Sequence, residues 1–241
     1  MKAPRPSAAG RSYLSLNKAR FLERRVGAVL VDGLDGIPGM EVNLIFSLVV
    51  LLFSIIIHEV SHGYAALFLG DHTAEYEGRL TLNPLRHIDL IGTIILPLIC
   101  VLSPGGFFFG WAKPVPYNPH NLRNQRWGEA IVAAAGPLSN ILIALIFGMI
   151  VRFYDSSPAV FVLCQIIVLV NVTLAVFNLM PIPPLDGSKI LSAVLPSGFL
   201  RVRQSIERFG FIGVVVFLVF IWQFFQPVIP WIFRLITGQG L

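Results

Sequence analysis

Charge is what this chain has least of. Of its 241 residues only 13% are charged, while 55% are hydrophobic and the mean hydropathy is +0.76. Soluble domains carry about twice that charged fraction, so a water-soluble globule is excluded. Cysteine is nearly absent: Cys100 and Cys164 are the two, and both lie in apolar runs. That excludes a disulfide framework and leaves buried, inert thiols as the expectation. No secretory signal opens the chain, because VGAVLVDGLDGIPG in residues 1–39 is broken by Asp32, Asp35 and four glycines. There is no internal repeat, and no stretch is left over for an appended soluble domain.

What is present is long apolar sequence. Residues 90–112, 130–151, 156–185 and 209–233 contain no Asp, Glu, Lys or Arg. Each is long enough as helix to cross a hydrocarbon core of about 30 Å. The expectation is an all-α polytopic membrane protein with four clear transmembrane helices, over 44–69, 128–151, 157–180 and 209–225. Residues 90–112 carry Gly92, Pro97, Pro104, Gly105, Gly106 and Gly110, and read as a broken or re-entrant segment. AEYEGRLTL, within the polar run 70–89, reads as a short β-like membrane-associated stretch, a strand or hairpin arm. A short apolar tail over 227–237 suits the membrane interface. The formal charge of +5 would suit nucleic acid, but seven of the 18 basic residues fall in residues 1–39 and most others in short loops. That is how cytoplasmic loops look, and no nucleic-acid partner is expected.

Inside the first apolar run stands SIIIHEVSHGYAALFLG, with His58, Glu59 and His62. An ionisable residue in a membrane span costs at least about 2.5–3.5 kcal/mol if charged, so it points to function. Residues at i and i+4 share a helix face, with Cβ atoms about 5–6 Å apart. Two imidazoles so placed can reach one Zn²⁺ at about 2.0–2.1 Å. Glu59, the next residue after His58, points to the side of that face. It is poorly placed as a ligand and well placed to take a proton from water that zinc makes acidic. A catalytic zinc needs a third protein ligand and one open position. Asp186, in FNLMPIPPLDG at the end of a long apolar run, is one candidate. The other reading of Asp186 is the N-cap of a short helix over 187–195. Spacing alone does not choose between them. His72 and His87, lone loop histidines, are expected to be solvated rather than metal-bound.

H-E-x-x-H in an early span followed by N-x-x-P-x-P-x-L-D-G at the end of a later one resembles the site-2 protease family of intramembrane zinc metalloproteases. Asn178, Pro181, Pro183, Leu185, Asp186 and Gly187 supply the second motif without departure. AAGPLSN, residues 134–140, is similar to part of that family's central span, and GRLTLNPLRHID and FGWAKPVPYNP look typical of its compact subgroup, which lacks PDZ and CBS domains. The resemblance covers roughly 43–195. It implies that His58, His62 and Asp186 hold zinc, that Glu59 is the catalytic acid/base, and that Asn178 helps position substrate or the oxyanion. It also implies a transmembrane protein or peptide as substrate, within the plasma membrane of a bacterium. The rival class is a catalytically inactive membrane metal-binding or transport protein. That rival predicts further ionisable residues along several spans, and 130–151 and 209–233 are bare of Asp, Glu, Lys and Arg.

Loop charges set an orientation. Lys189, Arg201, Arg203 and Arg208 place the 185–208 loop in the cytoplasm by the positive-inside rule. Loops 113–126 and 70–89 then also face inward, and 90–112 starts and finishes inside. His58 lies 14 residues after Leu44, about 21 Å along a helix, in the cytoplasmic third. Residues 1–39, with their seven Lys and Arg, disobey this arrangement. They are expected to be a disordered or non-native extension, with Met40 the true start of a metalloprotease domain over 40–241. Mass spectrometry of the natively expressed protein tests this: a peptide from residues 1–39 would refute it.

Overall fold

The computed structural model describes residues 40–95, 112–154, 157–195 and 222–239. The chain divides into two units. Of the first, the described residues 90–95 form a π-helical turn, Leu90–Ile95. The second, Ile37–Asp89 with Ala112–Leu241, holds the helices and the candidate site.

Among its described residues the α-helices are α1 (Met40–Phe68), α2 (Thr73–Tyr76), α3 (Gln125–Phe153), α4 (Pro158–Asn178), α5 (Asp186–Val194), α6 (Trp222–Phe225) and α7 (Val228–Thr237). Three are long and apolar enough to cross a membrane: Ile45–Phe68, Trp127–Phe153 and Pro158–Asn178. The starts of the last two follow local chemistry. The Asn124 side chain accepts from Trp127 N–H and caps α3. Pro158 opens α4 at the one helical position where a missing N–H costs nothing.

α3 is the centre of the packing, against α1, α4, α5 and α7. Its inner face carries small residues, Ala130, Ala133, Gly136 and Ala144, all buried. Its outer face shows Leu138, Leu142, Leu145, Ile146 and Met149. Apolar side chains outward and small ones between helices is the pattern of helices packed in lipid. α7, the apolar tail, lies against α3 and α4 with Ile229, Phe233 and Thr237 buried and Trp231 and Leu235 outward.

One expectation needs revision. The AEYEGRLTL stretch is not a strand, and no strand occurs among the described residues. Asp71 captures it first. Its Oδ1 accepts from Thr73 N–H at 3.3 Å and Thr73 Oγ1 at 2.6 Å, which starts the single helical turn α2. Of the four expected spans, 209–225 lies outside the described residues except for its last four, which form α6. Most of 90–112, and all of 1–39, also lie outside them.

The loops after α1 and before α3 are tied together by buried polar groups. Asp71, fully buried, also accepts from Asn121 Nδ2 at 2.8 Å and Asn118 N–H at 2.7 Å. Arg79 donates to the carbonyls of Lys113 and Pro114 at 2.9 and 3.1 Å, and Lys113 N–H donates to His87 at 2.8 Å. Residues 112–118, neither helix nor strand, are thus held beside the second half of α1.

Candidate metal centre

α1 sets His58 and His62 one turn apart, and their rings meet edge to face, centroids 4.6 Å apart at 90°. Asp186 comes from 128 positions away. Its Oδ2 lies 3.2 Å from Nε2 of His58 and 3.2 Å from Nε2 of His62. All three side chains are buried, and one donor atom from each falls within 4.8 Å of the others.

The delivery of Asp186 follows from the prolines. Pro181, Pro183 and Pro184 cannot continue α4, and 179–185 coil into turns closed by Ile182 N–H to Met180 O (2.8 Å) and Leu185 N–H to Ile182 O (2.9 Å). The returning chain presses onto the end of α4 so closely that a Cβ on residue 187 would collide with the Leu179 and Met180 carbonyls, which is why glycine follows the aspartate. Asp186 is the first residue of α5, and Leu185 occupies the N-cap position. The capping reading therefore gives way. The carboxylate turns inward to the imidazoles, and its other oxygen, Oδ1, lies 3.8 Å from Lys189 Nζ.

The imidazole protons decide what the site can hold. His62 Nδ1 lies 2.6 Å from the Val132 carbonyl, which can only accept, so Nδ1 carries the proton. His58 Nδ1 lies 2.7 Å from Asn140 Oδ1. The Asn140 amide nitrogen donates to Asn171 Oδ1 at 2.9 Å, so its oxygen is the atom facing His58, and His58 too is protonated at Nδ1. In neutral rings both Nε2 atoms then present lone pairs to a carboxylate oxygen. An acceptor oxygen 3.2 Å from each of two acceptor nitrogens repels both unless a cation stands between them. The spacing suits one: two ligands on a tetrahedral ion at about 2.0–2.1 Å lie about 3.3 Å apart. Two imidazoles and a carboxylate are a donor set zinc accepts, with the second ring nitrogen of each histidine held by an oxygen, as metal-bound histidines usually are.

α3 makes room for the rings. A Cβ at Gly136 would stand 2.5 Å from His62 Nε2 and Cε1 and 2.6 Å from His58 Cε1. Only glycine lets the helix backbone approach both. Pro137, next to it, lacks the N–H that would bond Ala133 and crowds the preceding turn, the turn from which Val132 presents its carbonyl.

Glu59 stands outside the donor group. It is half-buried, and its Oε2 accepts from Val115 N–H at 3.0 Å. In Pro114–Val115–Pro116 only Val115 has an N–H, so the prolines leave one donor facing the glutamate. The Arg79 guanidinium bonds the carbonyl of the same peptide unit, Pro114 O. Asn178 is not brought into the cluster by its hydrogen bond; its amide donates to Leu174 O at 3.0 Å on its own helix. His72 is exposed and pairs with Glu75 at 2.7 Å, and buried His87 donates from Nε2 to Thr81 O at 2.8 Å. Neither joins the donor group. Sequence reasoning missed Val132, Asn140, Asn171 and Ser54. The two asparagines left a signal, as amides inside the charge-free runs 130–151 and 156–185.

Comparison with known proteins agrees with this chemistry. Residues 154–221 match the model of peptidase family M50. YwhC of Bacillus subtilis, a candidate zinc metalloprotease by name, is 36% identical over 186 residues, 72% of this chain and 80% of the relative. Rip2 of Mycolicibacterium smegmatis, likewise a candidate zinc metalloprotease, is 34% identical over 80% of this chain and 74% of its own. The zinc metalloprotease MJ0392 of Methanocaldococcus jannaschii is 26% identical over 72% of this chain, and only 42% of that longer protein is covered. No solved structure matches at a significant level. With the Bacillus relative matched across four fifths of its length, the chain belongs to peptidase family M50, the site-2 protease family of membrane zinc metalloproteases.

Proposed function

We propose that the chain is an intramembrane endopeptidase that hydrolyses peptide bonds of transmembrane substrates near the cytoplasmic side of a bacterial plasma membrane. In this reading His58 Nε2, His62 Nε2 and Asp186 Oδ2 hold zinc, and Glu59 is the general acid/base. The observation that carries it is the convergence of one carboxylate oxygen, 3.2 Å from each of two imidazole Nε2 atoms, between residues 128 positions apart, in a protein with three helices able to span a bilayer among its described residues. The cytoplasmic assignment rests on the basic loops that flank these helices.

Zinc, when bound, supplies Lewis acidity that polarises the scissile carbonyl and makes water acidic near neutral pH. The residues do the rest. Val132 and Asn140 keep the imidazole protons on Nδ1, so both Nε2 atoms stay available. Val115 N–H holds Glu59 Oε2, leaving Oε1 to accept a proton from the attacking water and return it to the leaving amine. Because helix carbonyls are tied up in hydrogen bonds, the substrate must unwind locally before attack.

The test compares wild type with Glu59→Gln on a panel of single-span substrates in detergent, with zinc measured. Zinc is expected to stay while cleavage falls by at least about 100-fold. Equal cleavage by both proteins would refute the role of Glu59.

A further inference from the structure

Three polar side chains lie between α1, α3 and α4: Ser54, Asn140 and Asn171, exposed by 4%, 0% and 0%. Each fixes the orientation of the next. Asn171 Nδ2 donates to Ile167 O at 2.9 Å on its own helix and to Ser54 Oγ at 3.0 Å, which turns Asn171 Oδ1 toward Asn140. Asn140 Nδ2 donates to that oxygen at 2.9 Å and to Ser54 O at 3.4 Å. Asn140 Oδ1 is thereby left for His58 Nδ1 at 2.7 Å. An amide can present either its oxygen or its nitrogen, and the two ends have nearly the same shape. Asn140 presents oxygen because Asn171 has claimed its nitrogen. Inside an apolar bundle no bulk water offers an alternative partner.

We propose that Asn171 is a positioning residue for the metal centre, acting through Asn140 on His58 and so setting zinc affinity while touching no ligand. This rests on the reading of His58 as a zinc ligand. The consequence is chemical. If Asn140 turns its NH₂ toward His58, two donors face each other at Nδ1. The ring must then move its proton to Nε2, where zinc binds, or rotate away. Asn171 sits on α4, the helix that continues through the 179–185 turn to Asp186, so one side chain references both halves of the site. The competing explanation is plain interhelical hydrogen bonding, which stabilises the bundle without choosing a histidine tautomer. The two differ in what they leave unchanged. A purely structural bond moves the melting temperature; a positioning bond moves zinc affinity at constant fold.

The experiment measures zinc affinity of the full chain in detergent by competition with a chromogenic chelator, alongside apo-protein melting. Asn171→Leu removes the acceptor facing Asn140. Asn171→Ser is the milder form, too short to reach Asn140 and satisfied by the Ile167 carbonyl one turn back. Both are expected to bind zinc about tenfold more weakly. Asn171→Asp, neutral among apolar helices with its O–H donating to the Ile167 carbonyl, keeps an oxygen where Asn140 needs it and is expected to stay within about threefold of wild type on the same grounds. If Asn171→Leu does not fold, Asn171→Ser decides. Wild-type affinity in Asn171→Ser, or equal loss in Asn171→Asp and Asn171→Leu, would overturn the proposal. His58→Ala is the control: if it binds zinc as tightly as wild type, the assignment of the metal site fails, and this inference fails with it.

Discussion

Between α1, α3 and α4 the buried groups behind the metal centre are amides and hydroxyls, Ser54, Asn140 and Asn171; in the loops beside the helices the buried groups include a carboxylate, Asp71, and a guanidinium, Arg79. Both sets bridge distant segments and both are densely bonded. The difference lies in what surrounds them. Among membrane helices an ion without a partner is expensive, so cross-helix links are made from neutral groups that satisfy one another. In the loops a carboxylate can gather four donors from Thr73, Asn118 and Asn121 and act as a hub. The inner network therefore controls direction, since its value lies in which atom faces His58. The outer one controls proximity, holding residues 112–118 against α1. Lesions of the two should fail in different ways.

The largest expected effect strikes the inner set. Gly136→Ala puts a Cβ within 2.6 Å of both imidazoles, on the rigid backbone of α3, so the rings must move. Zinc affinity should fall at least about 100-fold, at the upper limit of what displaced supporting groups usually cost, and cleavage with it. Zinc titration of the purified variant checks this. Because the loops make no use of Gly136, protease resistance of residues 70–89 and 112–124 should match wild type. Loss of protection there would break the distinction between the two networks.

The part of the site legible in sequence was the part made by local geometry. His58 and His62 share a face because a helix has 3.6 residues per turn, and they stood out because the run around them is apolar. Asp186 was half legible: a carboxylate turned to the imidazoles and a helix cap differ only in how the 179–185 turn rotates one side chain, and Gly187 packs that turn on the Leu179 and Met180 carbonyls. The misread strand has the same kind of cause. AEYEGRLTL carries a plausible alternation, but Asp71, outside the pattern, bonds Thr73 and starts a helical turn. Asn140 and Asn171 escaped because an amide in a helix does not show in sequence which partner it faces. Their partners lie 31 to 117 positions away, at distances only the fold reveals.

The outer set is tested by Asp71→Asn. An amide keeps the shape but turns an NH₂ toward at least one of the donors now bonded. Hydrogen bonds to a charged group contribute about 1.5–3 kcal/mol each, so a stability loss of about 2 kcal/mol is expected, with zinc affinity unchanged. The pH dependence carries a sign. Burial alone would raise the Asp71 carboxyl, but the donors from Thr73, Asn121 and Asn118 outweigh it and hold the group below its ordinary value. A carboxyl lowered by folding stabilises the protein above its unfolded value, about 3.9, and loses that contribution as pH falls through the folded value. Thermal melts of wild type and Asp71→Asn should therefore differ at neutral pH and converge in acid below about pH 4. A gap that widens on acidification would show that Asp71 is not the ionised hub described.

The smallest expected effect lies where the two regimes meet. Lys189, one turn after Asp186, places Nζ 3.8 Å from Asp186 Oδ1 and 5.4 Å from the Tyr117 ring. It is a charged side chain, a quarter exposed, touching the oxygen that faces away from the imidazoles. If the inner network works by direction, a cation reached by solvent should add little, because water and salt screen it. Lys189→Met keeps the apolar stem over Tyr117 and removes the charge. An ion pair of this exposure contributes about 0.2–1 kcal/mol, so zinc affinity should fall less than about fivefold on that figure, and the gap should close as salt is raised. A loss as large as that of Gly136→Ala, insensitive to salt, would mean that Lys189 holds the Asp186 carboxylate in place, and that charge as well as direction shapes the metal site.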